Sequence, residues 1–195
     1  MARSGADFRH ETARLILRDW RAEDWPEFFR ITDTPAVMRW LNGPLGEQGR
    51  MLQRQRVTDC QARNGHCFWV VERRTDSGHL SGEMLGFCGL KKADAPGGTI
   101  AGEFEIGWRL REEAWGHGYA KEAATAALDL AFDHFGAREV FAITVPGNTA
   151  SWGLMLRLGM ERRAECDYAD QRFTGEMRNQ IVYSIAAEVW ARTRE

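Results

Sequence analysis

Between Glu103 and Phe135 the apolar pattern changes from strand-like to helical across a short glycine loop. Phe104, Ile106, Trp108 and Leu110 alternate with Glu103, Glu105 and Gly107, which predicts a strand over 103–110. Trp115-Gly116-His117-Gly118-Tyr119 is the loop. Beyond it, Ala120, Ala123, Ala124, Ala127, Leu128, Ala131, Phe132 and Phe135 form one apolar stripe, opposite Lys121, Glu122, Asp129 and Asp133. A strand that runs through a tight loop into an amphipathic helix belongs to a layered α/β arrangement.

A helix start opened by glycines gathers free backbone N–H groups in one place. The helix dipole adds partial positive charge there, so an anion can be held without a basic side chain. A P-loop would need Gly-Lys-Ser/Thr, and Gly118-Tyr119-Ala120 does not supply it. A dinucleotide fingerprint would need a third Gly or Ala where Lys121 stands. A coenzyme A site and a plain tight turn are the readings left for the loop taken alone.

A second motif decides between them. Glu105-Ile-Gly-Trp108, Trp115-Gly-His-Gly-Tyr-Ala-Lys-Glu-Ala123, Val145-Pro-Gly-Asn-Thr-Ala-Ser-Trp152 and Leu158-Gly-Met160 together resemble the GNAT superfamily of acyl-CoA-dependent N-acyltransferases. They are most similar to its branch of ribosomal-protein-alanine acetyltransferases (RimJ/RimL-like). Thr12 to Trp20 and Val182 to Ile185 resemble that branch's first and last strands. The resemblance implies an α/β fold built on a mixed sheet. Its two central parallel strands splay apart, antiparallel strands flank them, and helices cover both faces. It also implies acetyl-CoA as co-substrate. Trp108, Arg109 and Leu110 would offer backbone contacts to the pantetheine arm, with Asn148 and Ser151 on its other side. The amides of Trp115, Gly116, His117, Gly118, Tyr119, Ala120 and Lys121 would hold the pyrophosphate.

The rest of the chain sets bounds. At 195 residues, 44% hydrophobic and 28% charged, it reads as one globular domain, 12–195, preceded by a flexible tail over 1–11. A net charge of -2 implies no general affinity for nucleic acid, and no apolar run is long enough to span a membrane. Cys60, Cys67, Cys88 and Cys166 lack Cys-x-x-Cys spacing, so no metal site is expected and a reducing cytoplasm fits. Helices are predicted after Asp24, after Thr34-Pro35, over 48–63, over 148–158 and at the C-terminus. Strands are predicted over 14–20, 67–72, 85–90 and 140–145, followed by a last antiparallel pair.

Acyl transfer from a thioester to an amine needs a neutral amine, an oriented thioester, an oxyanion donor and a proton for the departing thiolate. Glu105 is the first choice of base, acting through a water, and Glu103 on the same face is the alternative. The position matching the superfamily's tyrosine acid is Met155, which carries no proton to give. Ser151 is the polar group left on that helix, and water is the other proton source. Trp20, Trp40 and Trp69 are candidates for an apolar acceptor pocket. The expectation is direct acetyl transfer in a ternary complex to a primary amine, either a protein N-terminus or a small molecule. The alternative is a non-catalytic acyl-CoA-binding module. Neither acceptor identity nor a homodimer is fixed by any motif.

Overall fold

The computed structural model describes residues 8–194. Its strands are β1 (Arg9–Glu11), β2 (Leu15–Arg18), β3 (Phe68–Arg73), β4 (Met84–Lys92), β5 (Phe104–Leu110), β6 (Glu139–Thr144), β7 (Glu161–Arg162), β8 (Tyr168–Ala169) and β9 (Asn179–Ala186). The helices are α1 (Asp24–Thr32), α2 (Glu47–Asn64), α3 (Tyr119–Asp129), α4 (Thr149–Arg157) and α5 (Ala187–Arg192). The strands form one sheet in the order β1-β2-β3-β4-β5-β6-β9-β7, with β8 beside β9. Among the described residues only β5 and β6 run parallel; the other pairs are antiparallel. This is the mixed α/β sheet expected of the resemblance.

The alanines explain how α3 sits. Ala123, Ala124, Ala126, Ala127 and Ala131 are all buried, and their small side chains let the helix lie close on the sheet. That face also packs Leu15, Leu17, Trp69, Ile106 and Leu110 with Leu154 and Met155 of α4 and Trp190 of α5. The other face carries two smaller cores. Trp25, Phe28 and Phe29 of α1 pack with Val57 of α2, Cys67 and Phe87. Ala93, Ala95, Ile100, Phe141 and Val182 form the second. The sheet therefore separates α3, α4 and α5 from α1 and α2.

Three expectations are corrected. Residues 9–11 are not part of a tail: Arg9–Glu11 pair with Ile16–Arg18. Phe8 holds them in place, its N–H donating to Asp19 Oδ2 (3.0 Å) and its ring stacking on Trp69 (4.5 Å). Residues 1–7 of that tail lie outside the described residues. The stretch after Thr34-Pro35 is a run of turns over 35–42, closed by Met38 N–H to Thr34 O (2.9 Å) and Gly43 N–H to Met38 O (3.0 Å). Its bonds mix three-, four- and five-residue spacings between Pro35 and the Asn42-Gly43-Pro44 break, so no regular helix forms. Finally, the long helix does not stay α-helical to Phe135: it widens to a π turn over Leu130–His134, closed by Phe135 N–H to Leu130 O (3.0 Å).

Candidate active site

The register decides which backbone groups of β5 are free. Arg111 N–H donates to Leu85 O and Ala93 N–H to Glu103 O, both at 2.8 Å. These bonds continue the β4–β5 register, so odd-numbered residues of β5 turn their N–H and C=O groups to β4. Phe104, Ile106, Trp108 and Leu110 turn theirs to β6. The β5–β6 ladder has only two rungs, Phe104↔Val140 and Glu105↔Phe141. Past them the strands part. Trp108 and Leu110 face the resulting gap from β5. Ile143 faces it from β6, because the Ala187 N–H to Arg138 O bond (2.9 Å) assigns the even residues of β6 to β9. Trp115 Nε1–H takes the Leu110 carbonyl (2.9 Å). Trp108 N–H, Trp108 C=O and Leu110 N–H are then an open edge that an extended ligand can join as a strand would. Arg109, expected to share that edge, turns its backbone to β4 and presents its side chain to the opposite face.

This edge points toward the glycine loop. Gly116 and Gly118 adopt left-handed backbone, φ +78° and +79°, which turns the chain back into α3. The helix begins with Glu122 N–H to Gly118 O (3.1 Å), so the amides of Tyr119, Ala120 and Lys121 have no partner inside it. The outer side of the loop is tied down. Arg14 Nη1 donates to His117 O (3.0 Å) and Arg14 Nε to Glu122 Oε2 (2.7 Å). Thr12 Oγ1 and Arg14 N–H both donate to Glu122 Oε1 (2.6 and 2.7 Å). Tyr119 OH accepts from Arg73 Nε (3.2 Å) and donates to His79 O (3.0 Å). Trp115 and His117 are exposed, and His117 stacks on His79 at 3.9 Å. A cavity of about 520 Å³ lies against this flank, lined in part by Arg14, Gly118 and Lys121.

On the opposite side of the sheet, Arg109 stands against Phe28 of α1 and Gln53 of α2, while Glu105 lies beside Lys91, with the charges of Asp94 and Arg172 also bearing on it. Glu105 is buried, whereas Glu103, the alternative base, is exposed and precedes the strand. Lys91 Nζ meets Glu105 Oε2 at 2.7 Å, an ion pair without hydrogen-bond alignment. Burial pushes the Glu105 carboxyl above its ordinary range; Lys91 opposes that shift without cancelling it. A carboxylate whose pKa is raised by burial suits proton removal nearer neutrality than an ordinary one.

On α4, Asn148 caps the helix, its Oδ1 accepting from Ser151 N–H (3.4 Å). The Ser151 hydroxyl is half-buried in the first turn and makes no side-chain hydrogen bond among the described residues. Met155 is sealed in the core, so this helix offers no tyrosine-like acid there. The acceptor tryptophans divide. Trp20 packs with the α1 core, and Trp40 lies on Gly147, where an added Cβ would meet its ring at 2.6 Å. Trp69 belongs instead to the α3 face, which corrects its expected place in an acceptor pocket.

Sequence reasoning missed Lys91 and the Arg14–Glu122 bracket. Lys91 lies on the same face as Phe87 and Gly89 by alternation, but pairing it with Glu105 needs the register across the loop over 93–103. The Arg14–Glu122 contact joins residues 108 apart and leaves no local signal.

Comparison with known proteins agrees with this geometry. Residues 14–161 match the family described as Acetyltransferase (GNAT) domain. The Bacillus subtilis protein YkkB is 30% identical over 154 residues, covering 76% of this chain and 83% of its own length. The Aspergillus fumigatus FsC-acetyl coenzyme A-N(2)-transacetylase is 30% identical over 191 residues, covering 94% of this chain and 78% of its own. The crystal structure of a GNAT-family acetyltransferase from Bacillus anthracis shares the fold, with a TM-score of 0.71 and 23% identity over 93% of this chain and 99% of that one. The chain belongs to the GNAT acetyltransferase domain family and is an acyltransferase.

Proposed function

We propose that the enzyme transfers an acetyl group from acetyl-CoA to a primary amine by direct transfer in a ternary complex. One observation carries this reading: the gap opened where the β5–β6 ladder ends leads from an open backbone edge to the amides of a glycine-opened helix. The Trp108 and Leu110 edge matches the amide groups of a pantetheine arm, and the amides over 116–121 match a pyrophosphate. Asn148 and Ser151 would meet the arm from the α4 side.

In the transfer step the amine nitrogen attacks the thioester carbonyl carbon, the C–S bond breaks, and the thiolate leaves with the bonding pair. Glu105 takes the amine's proton through a water and Lys91 keeps the carboxylate in place. A backbone N–H on the gap edge holds the developing oxyanion, and one such donor is worth ~3 kcal/mol. Ser151 or water returns a proton to the thiolate. With its four cysteines free, the chain suits a reducing cytoplasm. The resemblance of its sequence motifs to ribosomal-protein acetyltransferases makes a protein N-terminus one acceptor class, a small amine the other.

Acceptor-dependent release of free thiol from acetyl-CoA tests the reading. Turnover that needs an amine and collapses in Glu105→Gln supports it. Thiol release indifferent to any amine, or undiminished in Glu105→Gln, overturns the assigned chemistry.

A further inference from the structure

Resting on that acetyl-transfer reading, we propose that Arg109 binds a carboxylate of the acceptor, so that the preferred acceptors are small amines bearing a carboxylate. Its guanidinium stands over the rings of Phe87 (5.3 Å) and Phe28 (5.8 Å). Nη1 donates to Gln53 Oε1 (3.1 Å), while Nε is buried and donates to nothing. Among the described residues no carboxylate lies within ion-pair reach of it. The acid whose charge bears on it, Asp33, is already held by Arg50 (2.7 Å) and Leu45 N–H (2.6 Å).

Among the described residues the buried arginines are all paired: Arg18 with Asp24 and Glu72, Arg73 with Asp76, Arg111 with Glu83 and Glu113. Arg109 differs. It is half-buried, and a cation drawn part-way out of water without an anion is costly; aromatic faces compensate only in part. Burial brings its pKa down to about 10, consistent with a cation that lacks its counter-charge.

Its position gives the missing charge a source. Arg109 and Glu105 lie on one face of β5, roughly 13 Å apart along the backbone. Between them an added Cβ on Gly107 would meet the Phe68 ring at 2.9 Å, so that ring lies directly on the strand. Phe68 in turn stacks on Phe87 at 4.7 Å. The face thus runs carboxylate, aromatic wall, guanidinium. An acceptor with its amine toward Glu105, an apolar body on Phe68 and a carboxylate on the Arg109 Nη atoms complements all three. A polycationic amine would place a second positive charge against Arg109.

The test compares matched acceptors under saturating acetyl-CoA: 6-aminohexanoate, 8-aminooctanoate and 4-(aminomethyl)benzoate against hexylamine, octylamine, benzylamine and spermidine. The wild type should favour the carboxylated members. Arg109→Gln should lower their kcat/KM by at least roughly 30-fold, the lower end for deleting one partner of a buried charge pair, and leave the neutral-tailed amines nearly unchanged. Arg109→Lys should recover part of the loss. A wild type that prefers amines without a carboxylate, or an equal loss for every acceptor in Arg109→Gln, overturns the proposal. Binding of 3-phenylpropionate to the CoA-bound wild type, read as a thermal shift, does not depend on turnover or on a variant that folds. Stabilisation by 3-phenylpropionate and not by 3-phenylpropanol is expected; equal effects contradict it. Stabilisation by that carboxylate with no amine turned over would spare Arg109 and refute acetyl transfer instead.

Discussion

Lys91 Nζ lies 2.7 Å from Glu105 Oε2 across the β4–β5 ladder, so the proposed base comes with its own counter-ion. The two effects on that carboxylate oppose each other. Burial raises its pKa above the ordinary 4.5, and Lys91 lowers it, with burial the larger. The limb of kcat/KM that rises as Glu105 loses its proton should therefore lie above pH 4.5. Lys91→Met should move it to still higher pH, and Glu105→Gln should abolish it. A limb unmoved in Lys91→Met would mean that a group other than Glu105 titrates.

The same shift has a stability sign. The folded state holds the Glu105 proton more tightly than the unfolded chain does. Its contribution to stability is full below pH 4.5 and is lost as pH rises through the folded pKa. Glu105→Gln should flatten that part of the stability–pH curve, measured by urea unfolding at stepped pH. A curve of unchanged slope would contradict the burial argument.

Ser151 and Asn148 separate chemistry from capping. Asn148 Oδ1 accepts the Ser151 N–H, so Asn148→Ala should cost about 1 kcal/mol of stability. Ser151→Ala leaves that cap intact. If the hydroxyl protonates the thiolate, kcat should fall by about 10²-fold with little change in Tm. An unchanged kcat in Ser151→Ala would assign the proton to water.

Gly118→Ala isolates the loop geometry. Its φ is +79°, and the nearest atom to an added Cβ, Arg14 Nη2, is at an ordinary 3.4 Å. The penalty is then backbone strain, ~1–2 kcal/mol. Calorimetry should show weaker acetyl-CoA binding alongside a lower Tm; wild-type affinity would contradict the loop's assignment.

Arg18 and Asp24 form the most buried ion pair beside the α1 entry, each side chain 6% exposed, with Nη2 to Oδ1 at 2.7 Å. Burial pushes the Asp24 carboxyl up, but Arg18 and the Arg21 N–H outweigh it, leaving the pKa below the ordinary 3.8. This contribution is present above pH 3.8 and lost as pH falls through the folded pKa. Asp24→Asn leaves Arg18 with Glu72 as its one carboxylate partner and should cost ~3–5 kcal/mol by urea unfolding. A loss under ~1 kcal/mol would show that Glu72 alone compensates Arg18.

What was legible in the sequence followed local periodicity. Phe104, Ile106, Trp108 and Leu110 share the α3 face as their alternation implied, and the alanine stripe lies on the sheet. The glycine loop and the Asn148 cap sit where their motifs placed them. What escaped was long-range or cooperative. β1 exists because β2 offers it an edge, not because Arg9-His-Glu11 favours a strand. Trp69 is one residue from Phe68 yet lies on the opposite face, an assignment that a one-residue change of register would reverse. The Lys91–Glu105 pair and the unpaired state of Arg109 depend on a cross-strand register that no local pattern in the 93–103 loop specifies.

Thermal stability with acetyl-CoA, CoA, ATP and NAD at matched concentrations separates a coenzyme A site from a structural turn. A ligand at ~100-fold over its Kd adds about 2.7 kcal/mol. In a domain of this size each kcal/mol moves Tm by about 2–4 °C. Stabilisation by acetyl-CoA and CoA, and none by ATP or NAD, is expected. No response to either CoA species would contradict it, and would leave the loop from Trp115 to Tyr119 as a structural turn.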